Sequence, residues 1–304
     1  MTSLGPHRVQ SDLMTIGAPM SRSFSQMGDL ETDTTVESLG DGRYAAMLSR
    51  DWEIWGPMGG YVGSFALRAA GKESPFARPA SFFCHYLHVA AFEPIEMQVR
   101  TLRSARTALS QRVTVTQGER QILEATVWSV GEVEGLEHDD TTPPPVPDPG
   151  ELPSIEELTP DRQAPYRFWE NVEVRPVTFR AKWPPEESLP PLWRAWCRFR
   201  PTATFDDPWV DACRSLVLVD VQSWPAASPR HAWREPHGFI APSLDLYVAF
   251  HLPAPEEPWL LGDGFAPVSA QGMFGWSGRL WTRDGRLVSS GTGQALFRRA
   301  PRPS

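Results

Sequence analysis

Two stretches of this chain, residues 51–130 and 206–297, read as two copies of one structural unit. A duplicated unit that cannot bury its apolar face alone restricts the fold more than any single motif, because the copies must pack against each other. Each copy opens on a helix, passes into a strand near a Pro-rich turn, and closes on long strands joined by a short Gly-centred hairpin. The first copy supplies GGYVGSFALRAAGK (59–72), SFFCHYLHV (81–89) and VTVTQGERQILEATVW (113–128). The second supplies DPWVDACRSLVLVDVQ (207–222), SLDLYVAFH (243–251) and GRLWTRDGRLVSSGTGQALF (278–297). Ligand sites collect at seams between such halves. Only the second copy carries a polar trio within the pattern, so one active site per chain is expected.

With 304 residues and 41% apolar side chains, the chain has ample material for a folded core and is too apolar for disorder. A net charge of −8 argues against general nucleic-acid binding. No apolar run approaches the ~20 residues of a membrane helix, so no membrane association is expected. The opening MTSLGPHRVQSD has no secretory apolar core. Cys84, Cys197 and Cys213 are odd in number, far apart and set among apolar residues, which reads as buried free thiols in a reducing, cytoplasmic setting.

Residues 1–33 read as an N-terminal tail, with regular structure starting near Thr34 and short strands over 35–39 and 43–49. Residues 34–140 form the first unit, 141–169 a Pro-rich linker, and 170–304 the second unit. The run TTPPPVPDPGELP (141–153) favours extended polyproline backbone and cannot continue a helix or a central strand. In the strand RAWCRFRP (194–201), Ala195, Cys197 and Phe199 share one face and Arg194, Trp196, Arg198 and Arg200 the other. Those arginines make either a solvated sheet face or a patch for phosphates. GDG (262–264) and RDGR (283–286) read as hairpin turns.

On the second helix, at about 100° per residue, Trp209, Cys213, Leu216, Val217 and Asp220 share one stripe. Asp220 therefore sits on the apolar, sheet-facing side, where a carboxylate is costly unless hydrogen-bonded or chemically employed. In SLDLYVAFH, Ser243, Asp245, Tyr247, Ala249 and His251 share a face; in the last strand Val288, Ser290, Thr292, Gln294 and Leu296 do. A carboxylate, a hydroxyl and an amide converging under that helix can hold a water and deprotonate or orient it. GPMGG (56–60), before the first helix, is either a tight turn or a set of amide donors at a helix N-terminus.

At these residues the chain resembles the acyl-CoA thioesterase II type of double-hotdog protein. Asp220 in LVLVDVQSWP, Ser243 in APSLDLYVAFH and Gln294 in SSGTGQALFRR fall on the positions of that family's hydrolytic Asp, Thr/Ser and Gln. WGPMGGYVGSFALRAA, VRTLRSARTALSQRVTVTQ and LWTRDGRLVSSGTGQA are also similar, and the likeness covers about residues 39–298. Ser243 stands where the best-known members have Thr, and His88-Val89 where many have Arg-Pro.

The resemblance implies an α+β double hotdog, two tandem units each with a curved antiparallel sheet wrapped around a long helix. It implies hydrolysis of an acyl-CoA or acyl-carrier thioester, with no cofactor and no metal. Asp220 acts on the water, Ser243 and Gln294 position it, and amides at Gly59, Gly60 and Tyr61 meet the substrate. A homodimer or higher homo-oligomer is implied by analogy of fold. Two alternatives stay open: an acyl-thioester-binding protein without turnover, and a hotdog enzyme of another chemistry such as dehydration, for which His85 or His88 would supply the imidazole. His85 and His88 are three apart in a strand and point to opposite faces, so they cannot share a metal. No G-x-S-x-G elbow occurs.

Overall fold

In a computed structural model, which describes residues 27–181, 185–231 and 238–299, the two copies join into one twelve-stranded antiparallel sheet. The first copy contains α1 (Leu30–Asp33), β1 (Glu37–Gly40), β2 (Arg43–Met47), α2 (Gly59–Glu73), β3 (Arg78–Tyr86), β4 (Pro94–Ser104), β5 (Ala108–Gln117) and β6 (Arg120–Val130). The second contains α3 (Ile155–Leu158), β7 (Val172–Pro176), β8 (Leu192–Phe199), α4 (Pro208–Asp220), α5 (Ser223–Ala227), β9 (Phe239–Ile240), β10 (Asp245–Phe250), β11 (Leu260–Ala270), β12 (Met273–Trp281), β13 (Leu287–Leu296) and β14 (Arg298–Arg299). The sheet order is β1-β2-β4-β5-β6-β3-β10-β13-β12-β11-β8-β7, which reads alike from either end toward the β3–β10 seam. There Phe82 lies opposite Val248 and Phe83 opposite Tyr247. This is the expected double hotdog.

Helices α2 and α4 lie side by side inside the curve of the sheet. Gly60 to Ala70 and Trp209 to Asp220 are buried without a break; on α4 the burial includes Asp211 and Arg214, which pair with each other at 2.5 Å and bond the Ala254 backbone. The Asp207 side chain accepts from the Trp209 amide (2.8 Å), with Pro208 at the first helical position. The helices touch backbone to backbone at Gly60. A Cβ there would lie 2.9 Å from Val217 Cα and 3.0 Å from the Leu216 carbonyl oxygen.

Counted from the helix starts, Gly60 is the second residue of α2 and Asp220 the thirteenth of α4. Their counterparts at the opposite end are Trp209, second in α4, and Gly71, thirteenth in α2. There the carboxylate is missing and the Trp209 ring fills the gap, 2.7 Å from where a Gly71 Cβ would stand.

Several expectations are corrected in detail. Residues 1–26 of the expected tail lie outside the described residues, but order begins before Thr34. The Asp29 carboxylate caps α1 by accepting from the Thr32 amide (2.9 Å), and Trp52 Nε1 donates to Asp33 (2.9 Å). The Pro-rich segment packs on the second copy: Trp196 Nε1 donates to the Pro147 carbonyl (2.9 Å), and Val146 and Leu152 cover a small cluster of Trp196, Trp259, Leu261 and Trp281. GDG (262–264) is not a turn but lies within β11. Its glycines make room, since a Cβ at Gly264 would lie 2.9 Å from Gln222 Cβ and one at Gly262 2.6 Å from the Trp193 ring. The Asp284-Gly285 hairpin holds, with Gly285 at φ +88°. The arginines of this segment are paired: within β8, Arg194 with Asp263 (2.7 Å) and Arg198 with Glu173 (2.5 Å) along the sheet, and just past the strand Arg200 with Glu156 of α3. They form a carboxylate-matched face instead of a phosphate patch. All three cysteines are buried and unpaired.

Candidate active site

Asp220 ends α4 at the point where that helix meets the start of α2. One carboxylate oxygen, Oδ2, accepts from the Gly60 amide at 2.7 Å. The other, Oδ1, is buried and makes no hydrogen bond among the described residues. Burial raises the Asp220 pKa from 3.8 to about 6, partly offset by the Gly60 hydrogen bond. The positive end of α2 supports the same charge. The result is a carboxylate with one oxygen anchored and a free lone-pair site on the other, poised near neutral pH.

Asp220 lines a cavity of about 410 Å³ at the seam. Met58, Gly59 and Tyr86 reach it from the first copy, and Ser243 and Trp224 from the second. Trp55, Tyr166 and Trp169 add aromatic rings to a wall that is otherwise largely aliphatic. Gly59 is glycine for a local reason: a Cβ would lie 2.9 Å from Asp220 Oδ2 and 3.0 Å from the Tyr86 hydroxyl. The Gly59 and Tyr61 amides, in the first turn of α2, have no intrahelical acceptor. The first intrahelical bond runs from Val62 to the Met58 carbonyl.

The structure brings Asp220 and Ser243 to one cavity but does not bring Gln294 there. Ser243 pairs with Ala295, whereas Tyr247 pairs with Thr292. Four steps along one strand therefore match three along the other, a one-residue bulge. That bulge turns Ser243 onto the helix-facing side with the buried Ala295, away from the outward Tyr247. No such slip rescues Gln294. On β13, Gly291, Gly293 and Ala295 are buried against the helices, and Thr292 and Gln294 are exposed on the other face. That phase is glycine because a Cβ has no room there: at Gly291 it would lie 2.6 Å from Val219 Cγ1, and at Gly293 2.5 Å from the Asp245 carbonyl.

Of the three helix-start residues, Gly59 lines the cavity and Gly60 holds Asp220. The Tyr61 side chain is instead in the core. It stacks on Trp52 at 5.0 Å between ring centroids, donates to the Asp33 carbonyl and accepts from the Ser49 amide. Tyr86 is a cavity residue that motif reasoning passes over, although alternation flags it: Phe82 and Cys84 are buried on β3, and Tyr86 continues their face. His85 is on the opposite, exposed face, and the His88 ring at the cavity rim is bonded through Nδ1 to the Gln121 carbonyl (2.7 Å).

Models of the acyl-CoA thioesterase N-terminal and C-terminal domains match residues 48–130 and 140–297. Among solved structures, the chain is similar to acyl-CoA thioesterase II TesB2 from Mycobacterium marinum, at 24% identity and TM-score 0.73, covering 90% of this chain and 99% of that one. It is also similar to the tesB protein of Mycobacterium avium subspecies paratuberculosis (23%, TM-score 0.70, 90% and 100%). A third is a protein of unknown function with a hot dog fold from Alicyclobacillus acidocaldarius (20%, TM-score 0.72, 90% and 98%). The structural likenesses carry the fold, and the C-terminal model alone spans more than half of the 304 residues. This chain belongs to the acyl-CoA thioesterase family and is a thioester hydrolase.

Proposed function

We propose that the protein hydrolyses an acyl-CoA thioester to the free acid and coenzyme A by direct attack of water, with Asp220 as general base. The observation that carries this reading is the Asp220 carboxylate, anchored through Oδ2 on the Gly60 amide and, among the described residues, unpartnered at Oδ1, in the wall of the seam cavity. A water donating to Oδ1 loses its proton as it adds to the thioester carbonyl carbon. The Ser243 hydroxyl positions that water. The carbonyl then reforms, the C–S bond breaks, and the Asp220 proton passes to the leaving sulfur. No covalent acyl-enzyme is needed.

Gln294 has no part in this scheme, because its side chain is on the far face of the sheet. Gln294→Ala is expected to keep thiol release and stability within about 0.5 kcal/mol of wild type, the usual range for an exposed position. A larger loss of turnover would return the amide to the site. The outward Gln294 is also the one observation favouring an acyl-thioester-binding protein without turnover. The deciding experiment is thiol release from a panel of acyl-CoAs, acetyl to palmitoyl, beside the same acyl groups on a carrier-protein pantetheine. Release from either carrier supports hydrolysis and names the carrier; tight binding with no release supports the binder.

We further propose a homodimer or larger assembly through the outer sheet face, where Trp128 and Tyr247 are exposed beside the seam. A monomeric mass by light scattering would remove this reading.

A further inference from the structure

Tyr86 sits at the end of β3 with its hydroxyl buried, and that hydroxyl makes no hydrogen bond among the described residues. Its sulfur neighbour, the Cys84 thiol, is a weak partner at best. Burial, with the nearby Cys84, Asp220 and Asp245, pushes the phenol well above its ordinary pKa, so it stays protonated and keeps an O–H to donate. A buried phenol with no partner is costly to fold around, and what enters the cavity it lines can account for it.

Position supplies that account. The Tyr86 hydroxyl and Asp220 Oδ2 both lie within about 3 Å of the empty Cβ position of Gly59, whose own amide opens α2. When water adds to a thioester, negative charge develops on the carbonyl oxygen, and a carboxylate base cannot stabilise it. Preorganised donors in a water-poor site can. The second copy brings the base, and the first copy brings two donors, the Gly59 amide and the Tyr86 hydroxyl, to the same corner of the cavity.

We propose that Tyr86 is a catalytic residue: its hydroxyl donates to the thioester carbonyl oxygen and, with the Gly59 amide, holds the oxyanion formed when water adds to the carbonyl carbon. This inference rests on reading the cavity as the acyl-thioester site. The electron pair of the C=O bond moves onto the oxygen as the new C–O bond forms. It returns when the C–S bond breaks, and the Tyr86 proton stays on the phenol throughout.

The test uses the full chain carrying Tyr86→Phe, which removes one oxygen and keeps the ring. We expect kcat to fall about 10²-fold, the usual effect of losing one oxyanion donor, with KM changed by less than about threefold. The melting temperature should not fall, since the substitution removes an unpartnered buried polar atom. A second readout is independent of turnover. The probe is the ketone analogue of octanoyl-CoA, with a methylene in place of sulfur and a ¹³C-labelled carbonyl. In the wild type its infrared C=O band is expected at lower frequency than in solution, and in Tyr86→Phe it should move back up. A band at the same frequency in both proteins overturns the assignment whatever the rates show, as does an analogue that does not bind. A Tyr86-dependent band in a protein that releases no thiol upholds the donor and instead overturns the hydrolytic reading of the site.

Discussion

Asp220→Asn is expected to lower acyl-CoA hydrolysis by about 10²- to 10⁴-fold, the range for loss of a general base, and to make the protein more stable at neutral pH. The two effects share one cause. In the folded chain the carboxyl is raised by burial from 3.8 to about 6. Between those values the native state binds the proton that the unfolded state has released, so stability falls as pH rises through the window. Above about pH 6 the full penalty is present, on the order of 3 kcal/mol, since each tenfold change in proton affinity is worth about 1.36 kcal/mol. An Asn side chain carries no charge and still offers an oxygen to the Gly60 amide. Urea denaturation at pH 7.5 should therefore place the variant above wild type, and the gap should close below about pH 4, where both states of the wild-type carboxyl are protonated. The wild-type rate should rise with pH through about 6 as the base ionises. A variant no more stable than wild type at pH 7.5, or one that still turns over, would remove Asp220 from the role of strained base.

Gly60→Ala should be among the most damaging substitutions of a single hydrogen by methyl. The added carbon would stand 2.9 Å from Val217 Cα and 3.0 Å from the Leu216 carbonyl oxygen. Both are main-chain atoms inside a buried helix and cannot swing aside, so α2 and α4 must separate. Overpacking of this kind costs about 1–3 kcal/mol, occasionally more. The separation also stretches the 2.7 Å contact from the Gly60 amide to Asp220, so turnover should fall in the protein that still folds. Gly275→Ala is the control: among the described residues nothing lies within 4 Å of its Cβ position, and its φ is not positive, so it should be neutral or slightly stabilising. Equal midpoints for the two variants in chemical denaturation would mean that the helix contact tolerates a methyl.

The parts legible in the sequence are those set by short-range periodicity. The two long helices are bounded by the Asp207-Pro208 cap and the Gly59-Gly60 start. The stripe containing Asp220 marks a buried carboxylate, but it faces α2 and not the sheet as expected: Trp209 abuts Gly71, and Leu216, Val217 and Asp220 abut Gly60. What escapes depends on register between distant strands. Strict alternation sets Ser243 beside Asp245 and Tyr247, and only the bulge against β13 turns the hydroxyl inward. Motif position puts Gln294 in the site, yet a shift of one residue decides a face, and the inward phase of β13 belongs to glycines crowded by Val219 and β10. Tyr86 lies in plain view on an alternating strand, but it belongs to the copy without the base, so its neighbourhood with Asp220 exists only once the seam closes. GDG (262–264) fails as a turn for a related reason, since its glycines answer to Gln222 and Trp193, far away in sequence.

The pairing of Trp209 with Gly71 gives the duplicated chain a division of labour. Both ends of the helix pair have the same framework, and one exchange of side chains separates them: carboxylate against glycine at one end, indole against glycine at the other. The indole end acts as a permanent clasp, joining the halves through apolar contact that no substrate has to supply. The carboxylate end is thereby free to remain hollow, polar and intrinsically less stable than its twin. A symmetric pair of identical single-unit chains cannot make that distinction, because any residue that plugs one end plugs the other. Fusion of the two units into one polypeptide is what permits a rigid joint and an open, chemically strained mouth to coexist in the same helix pair.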